Sequence, residues 1–120
     1  MKIAITALGG TLDSQVDPRF GRAKCFLIVD TETSEVEVVD NQQNVNAAQG
    51  AGIQAGQLVG ECGVKAVLTG HCGPKAFRTL EAAGIDVHVG VEGLVSEAIE
   101  QFKAGKLSAS KGADVDGHWT

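Results

Sequence analysis

The chain has 120 residues, 43% of them hydrophobic and 4% aromatic, which is enough for one domain with an aliphatic core. Its formal net charge of −5 at pH 7 argues against nucleic acid as a partner, because non-specific binding needs a basic footprint. Its three cysteines lack the spacing of a disulfide framework or a zinc ribbon, and no apolar run reaches signal or membrane-spanning length. These features favour a cytoplasmic protein with no membrane partner.

The first half of the chain predicts three strands and a long loop. An apolar run over residues 3–7 is typical of a buried strand, and the loop over 8–24 is long enough to indicate a functional role. The continuous apolar run over 25–30 predicts a second strand. Partial alternation over 35–40 predicts an exposed edge strand that forms a hairpin with it.

The second half of the chain alternates helices and strands. Small and apolar residues recur every three or four positions over 46–62, which predicts a helix with Asn46 as its N-cap and Gly63 after its end. The elements predicted after it are a strand over 65–69, a helix from Pro74 to Gly84, a strand over 85–89 and a helix stopped by Gly105. This order predicts an α/β fold in which helices cover both faces of a mixed five-stranded sheet with one antiparallel strand. Residues 1–105 would form the single domain, and 106–120 a polar, flexible tail.

The only two prolines lie in glycine-flanked turns with basic residues close by. We name them the arginine turn, residues 17–24 (Asp-Pro-Arg-Phe-Gly-Arg-Ala-Lys), and the histidine turn, residues 70–77 (Gly-His-Cys-Gly-Pro-Lys-Ala-Phe). Each turn follows a predicted buried strand, so parallel strands would bring both turns to the same edge of the sheet. The sequence therefore predicts an anion-binding pocket there, rich in cations and free backbone N–H groups.

The histidine turn offers helix amides and two soft ligands. With Pro74 at the first helical position, Gly73 becomes the N-cap and the first-turn amides point outward. Cys72 is expected to be an accessible thiol in an electropositive setting, and His71 beside it is a candidate imidazole ligand, so the anion is expected to contain metal. The alternatives are a strand-to-helix connection that needs glycine and proline only for its geometry, an apolar filler at Cys72 and a loop or capping role for His71.

The arginine turn offers guanidinium groups. Arg19 and Arg22 suit oxo- or sulfido-anions because each presents several N–H donors, while Gly21 frees the backbone and Phe20 is expected to anchor the loop on the core. The alternative is that one arginine pairs with Asp17 and the other cations are solvated.

Together these motifs resemble the dinitrogenase iron–molybdenum cofactor biosynthesis family, which includes NifX and the C-terminal domain of NifB. The resemblance covers roughly residues 1–106 and rests on four stretches, namely 17–23, 44–52, 73–77 and 83–87. It implies a three-layer α/β/α fold of the ribonuclease H-like type. It also implies an anionic metal–sulfur cluster as cofactor, of the molybdenum–copper sulfide type or an iron–molybdenum cofactor or precursor, and a protein that donates or accepts it.

The sequence thus predicts a non-enzymatic carrier of such a cluster, since common catalytic motifs such as a Walker loop or Gly-x-Ser-x-Gly are absent. The predicted cofactor-binding residues are Arg19, Phe20, Gly21, Arg22, Asn46, Gly70, His71, Cys72, Gly73 and Lys75, with His71 and Cys72 as metal ligands. Two alternatives remain open: a binding module for a phosphorylated metabolite or nucleotide, and a regulatory interaction subunit whose tail, with Trp119, contacts a partner.

Overall fold

Nine helices and strands follow one another in the part of the chain that the computed structural model describes, residues 1–45 and 50–113. The strands are β1 (Lys2–Ala7), β2 (Cys25–Asp30), β3 (Val36–Asp40), β4 (Ala66–Leu68) and β5 (Asp86–His88). The helices are α1 (Gln42–Val45), α2 (Ala51–Glu61), α3 (Pro74–Ala82) and α4 (Val95–Lys103). The continuous apolar runs become β1, β2 and β4 because these strands are buried on both faces.

The five strands form one mixed sheet in the order β3-β2-β1-β4-β5. β1 pairs with β4 and β4 with β5 in parallel, whereas β2 is antiparallel to both β1 and β3. The predicted α/β fold, with a mixed five-stranded sheet and a single antiparallel strand, is confirmed. Because β1 and β4 are parallel neighbours, the segments that follow them leave the same edge of the sheet.

Each face of the sheet has its own apolar cluster. Alternation along β1 sends Ala4 to one face, where it packs with residues of α2 and α3 such as Val59 and Leu80. Ile3 and Ile5 point to the other face, where the core includes the buried residues of α4. Helices therefore lie on both faces, and the carboxyl edge of β1 and β4 is left to loops.

The helix ends agree with the sequence except at the start of α2. Gly63, Gly84 and Gly105 follow their helices with φ of 74°, 74° and 71°, a conformation that glycine adopts without steric cost. The predicted helix start at Asn46 is wrong: α2 begins at Ala51, and its N-cap Gly50 has φ of 79°, which a helix interior does not tolerate. Asn46 itself lies outside the described residues.

The chain after α4 returns to the sheet. The Ser110 amide donates to the Val87 carbonyl oxygen at 2.6 Å, and Leu107 packs against the core on the α4 side. The division into a domain over 1–105 and a flexible tail stays a prediction, and residues 114–120, with Trp119, lie outside the described residues. Across the two described stretches, no helix has the length and apolar character needed to cross a membrane.

Candidate functional site

The arginine turn and the histidine turn lie side by side at the carboxyl edge of β1 and β4. Arg19 and His71 form an isolated parallel bridge, and the Phe20 amide donates to the His71 carbonyl oxygen at 3.2 Å. The two segments are about fifty residues apart in sequence, and the parallel pairing of β1 with β4 brings them together. The expected convergence of the two turns is confirmed.

Gly70 is where the two turns approach most closely. A Cβ atom at this position would lie 2.7 Å from both the Cα atom and the carbonyl oxygen of Pro18. Both are backbone atoms, which cannot move away by a change of rotamer, so glycine is required at this position. Gly70 thus serves the packing of one turn against the other.

Buried hydroxyl groups tie the base of this region together. The Thr6 hydroxyl donates to the Asp17 carbonyl oxygen at 2.7 Å, and the Asp17 amide donates back to the Thr6 carbonyl oxygen at 2.9 Å. The hydroxyl groups of Thr6 and Thr69 lie 2.9 Å apart. The ends of β1 and β4 are therefore bonded to each other and to the start of the arginine turn.

The Asp17 carboxylate organises the arginine turn from within. One oxygen accepts the backbone N–H of Arg19 and the other that of Lys24, each at 3.1 Å. Asp17 is itself buried, so these bonds are partly shielded from water. The carboxylate therefore closes the turn through two backbone N–H groups, and the pairing of Asp17 with an arginine side chain stays a prediction.

Asn41, directly after β3, organises the same turn from the other side. Its side-chain amide donates to the carbonyl oxygens of Gly21 at 3.1 Å and Ala23 at 2.8 Å, and its own oxygen accepts from Asn44 at 2.7 Å. This orientation leaves the Asn44 side-chain oxygen buried and without a hydrogen-bond partner among the residues that the structure describes. Sequence reasoning missed Asn41, whose only local signal was a polar residue directly after a strand.

The N-terminus of α3 faces this region with its amides uncapped. Gly73 is the N-cap in an extended conformation, Pro74 occupies the first turn, and no side chain in the described ranges caps the helix. The first-turn amides, together with the helix dipole, provide partial positive charge, and the side chain of Lys75 is exposed beside them. The predicted cap and proline positions are confirmed.

His71 and Cys72 have different environments. His71 is half-buried, whereas Cys72 has 0% of its surface exposed and packs in the apolar cluster that contains Phe20 and Phe77. The expectation of an accessible thiol at Cys72 is wrong, because alternate residues of the bridged segment point into the core. The metal-ligand roles of both residues stay predictions. Within the described part of the chain, no three His, Cys, Asp or Glu side chains are grouped as a metal site.

Phe20 and the two remaining cysteines, Cys25 and Cys62, pack in or against the core. Phe20 is fully buried with its ring centroid 5.5 Å from that of Phe26, which confirms its predicted anchoring role. Burial raises the pKa of the Cys25 thiol, with the carboxylates of Asp40 and Asp17 adding to the shift. Burial likewise raises the pKa of the Cys62 thiol, so neither cysteine favours the thiolate form.

Comparison with known proteins decides the family. The family model described as dinitrogenase iron-molybdenum cofactor matches residues 1–105. The chain belongs to this family. The resemblance expected from the two turns is therefore confirmed, and the family's name associates these proteins with a metal cofactor.

Three known proteins are similar to almost the whole chain. The apo form of the orange protein from Desulfovibrio gigas is 45% identical with a TM-score of 0.93, covering 95% of this chain and 96% of its own. A NifB-like protein from Thermotoga is 40% identical with a TM-score of 0.79, covering 90% and 91%. An uncharacterized protein of Methanocaldococcus jannaschii is 31% identical over 111 residues, which is 89% of this chain and 93% of its own.

Proposed function

We propose that this chain is a non-enzymatic carrier of an anionic metal–sulfur cluster, bound where the arginine turn meets the histidine turn. The observation that carries the proposal is the bridge between Arg19 and His71, because it brings the two cationic, amide-rich segments into one place. Membership of the dinitrogenase iron–molybdenum cofactor family supports a metal-containing cargo.

The charges of the two turns support an anion of this kind. Arg19 and Lys75 are exposed and Arg22 is half-buried, so the two bridged turns carry full positive charges as well as the uncapped amides of α3. Guanidinium groups offer several weakly hydrated N–H donors, which suit large, polarisable oxo- or sulfido-anions better than an ammonium group does. The site therefore fits a cluster held by electrostatics and hydrogen bonds.

For the finer identity of the cargo, we propose a molybdenum–copper sulfide cluster, with an iron–molybdenum cofactor or its precursor as the alternative. Half-buried His71 is the better candidate for direct ligation, since the Cys72 thiol would have to leave the apolar core to reach a metal. The ribonuclease H-like assignment, a cytoplasmic location and a protein that donates or accepts the cluster belong to the same proposal.

Reconstitution with tetrathiomolybdate and copper tests this function. The reconstituted protein should stay coloured after desalting, and Arg19→Ala should weaken retention about tenfold because a charge-assisted contact is lost. Lys103→Ala is the matched control: it removes the same charge from α4, on the other face of the sheet, and should retain the cluster normally. A colourless desalted protein, or equal losses in the two variants, would refute the proposal.

A second candidate, a binding module for a phosphorylated metabolite or nucleotide, is favoured by the same uncapped helix N-terminus, which is a general phosphate site. Inorganic phosphate and a nucleoside triphosphate, titrated in the absence of metal, separate the two functions. Saturable binding of either at micromolar concentration, together with no retention of the metal–sulfur cluster, would replace the carrier proposal with this one.

A further inference from the structure

The two edge strands of the sheet, β5 and β3, differ in whether another segment bonds to their outer side. At the β5 edge, the segment after α4 crosses the strand, and the Ser110 amide bonds to the Val87 carbonyl oxygen. At the opposite edge, β3 pairs with β2 alone within the described ranges. A strand edge of this kind presents unpaired donors and acceptors that another strand can take up.

The hydrogen-bond register identifies which backbone groups of β3 face outward. The Asp30 amide donates to the Glu35 carbonyl oxygen at 3.0 Å, and the Asn41 amide donates to the Lys24 carbonyl oxygen at 3.2 Å. Bonded pairs alternate along an antiparallel ladder, so the odd-numbered residues from 35 to 41 bond to β2. The residues whose amide and carbonyl groups face away from β2 are Val36, Val38 and Asp40.

The side chains along this edge combine apolar and acidic character. Val36 is 40% exposed and Val38 is 51% exposed, both on the face that carries α4, since they pair with Val29 and Leu27 of the core on that side. The exposed carboxylates of Glu35 and Glu37 alternate with the valines on the opposite face of the strand, and the exposed carboxylate of Asp40, which accepts the Gln42 amide, lies at its end. Residues 35–40 contain no lysine and no proline, which are common protections of an edge strand against pairing.

We propose that the free edge of β3 is a docking strand for an extended segment of a partner protein in which apolar and basic residues alternate. The apolar residues would lie beside Val36 and Val38, and the basic residues opposite the carboxylates, while the outward backbone groups of β3 would complete the ladder. A second copy of this chain is the poorer occupant. Pairing of β3 with itself would bring the carboxylates of Glu35 and Glu37 close to those of the other copy, and like charges across a ladder are destabilising.

The location gives this docking a functional consequence. β3 leads directly into Asn41, whose side chain holds the carbonyl groups of the arginine turn. A partner strand on β3 would therefore lie next to the candidate cluster site, where a donor or acceptor of cargo would have to be. This consequence rests on the proposed function, whereas the docking itself depends only on the edge strand.

A synthetic peptide of alternating lysine and valine residues is the probe. Titrated into the full chain and followed by amide NMR, it should shift the resonances of Val36, Val38 and Asp40 and slow hydrogen exchange there. Val38→Lys should lower the affinity for the peptide about tenfold, since it replaces an apolar contact by a positive charge like those of the peptide. The matched variant Val38→Thr should bind the peptide nearly as well as the wild-type chain does. Added salt should weaken binding by the wild-type chain.

Three results would overturn the proposal. They are equal binding of a peptide with the same composition in shuffled order, shifts centred away from β3, and unchanged affinity of Val38→Lys. Sedimentation that reveals a dimer lost in Val38→Lys would instead make a second copy the occupant. Retention of the metal–sulfur cluster by Val38→Lys is measured in parallel, so failure of the docking and failure of the proposed function are distinguishable.

Discussion

Gly70→Ala is the substitution that tests the convergence of the two turns most directly. The added Cβ would lie 2.7 Å from the Cα atom and the carbonyl oxygen of Pro18 and 3.1 Å from its carbonyl carbon. Non-bonded carbon atoms prefer roughly 3.5–4.0 Å, so one turn must move from the other by about 1 Å. Gly70 is not among the positive-φ glycines, so alanine itself brings no backbone strain and the effect isolates this contact.

Both stability and binding are expected to respond. Overpacking of this type costs about 1–3 kcal/mol, and the displaced neighbours are Arg19 and His71, which form the bridge of the proposed site. Gly70→Ala should therefore lower the free energy of unfolding by that amount and reduce retention of the reconstituted cluster.

Gly60→Ala is the matched control, measured by the same urea titration and desalting assay. Apart from its chain neighbours and the backbone of its own helix, no described atom lies within 4 Å of the position its Cβ would take in α2, so this variant should gain about 0.5–1 kcal/mol from helix propensity. Both substitutions restrict the unfolded chain equally, so the difference between them reports the folded state. Equal stability of the two variants, or normal cluster retention by Gly70→Ala, would refute the close packing of the turns as the basis of the site.

Three further outcomes are expected. Asn41→Ala leaves two buried carbonyl oxygens of the arginine turn without their donor, so urea unfolding should detect a loss of about 2–4 kcal/mol and cluster retention should fall; unchanged retention would contradict the role of Asn41. Burial lowers the pKa of His88, so the free energy of unfolding should fall as pH drops below the unfolded pKa of about 6.5 and level off below the native pKa. His88→Gln should flatten this pH dependence of stability. An equally steep dependence in the variant would exclude His88 as its source. Gly56→Ala would place a Cβ 2.8 Å from Thr79 Cγ2, so it should destabilise by about 1 kcal/mol and Thr79→Ala should relieve the effect; additive losses in the double variant would contradict the contact.

The parts of the fold that depend on local chemistry were predictable from the sequence. Apolar runs gave the strands, and glycines that adopt positive φ gave the helix ends, because each preference acts within a few residues. The start of α2 was not predictable from periodicity, since the small residues of 46–50 continue the helical repeat while Gly50 takes a left-handed conformation. Composition alone does not reveal which of several glycines breaks the repeat.

The cations and helix amides of the candidate site were predictable from the sequence, but the buried side chains that hold its turns in place were not. Arginine and lysine side chains and a helix that starts with Gly-Pro indicate anion binding from local sequence alone. The inward orientation of Cys72 depends on the bridge between the two turns, and the role of Asn41 depends on β3 ending beside the arginine turn. Both are consequences of contacts between residues far apart in sequence, for which a single chain carries no local signal.

The buried side chains that hold the arginine turn also affect how the site would bind an anion. Asp17 accepts two amides of the arginine turn, Asn41 donates to two of its carbonyl groups, and Thr6 fixes its start, so both polarities of its backbone are satisfied by buried side chains. A turn held in this way does not have to be ordered by its ligand, and a pre-organised site loses less entropy on binding. In the proposed carrier, the backbone of the turn would therefore fix where the anion binds, while the exposed side chain of Arg19 would supply charge at the protein surface, from which the anion can pass to a partner.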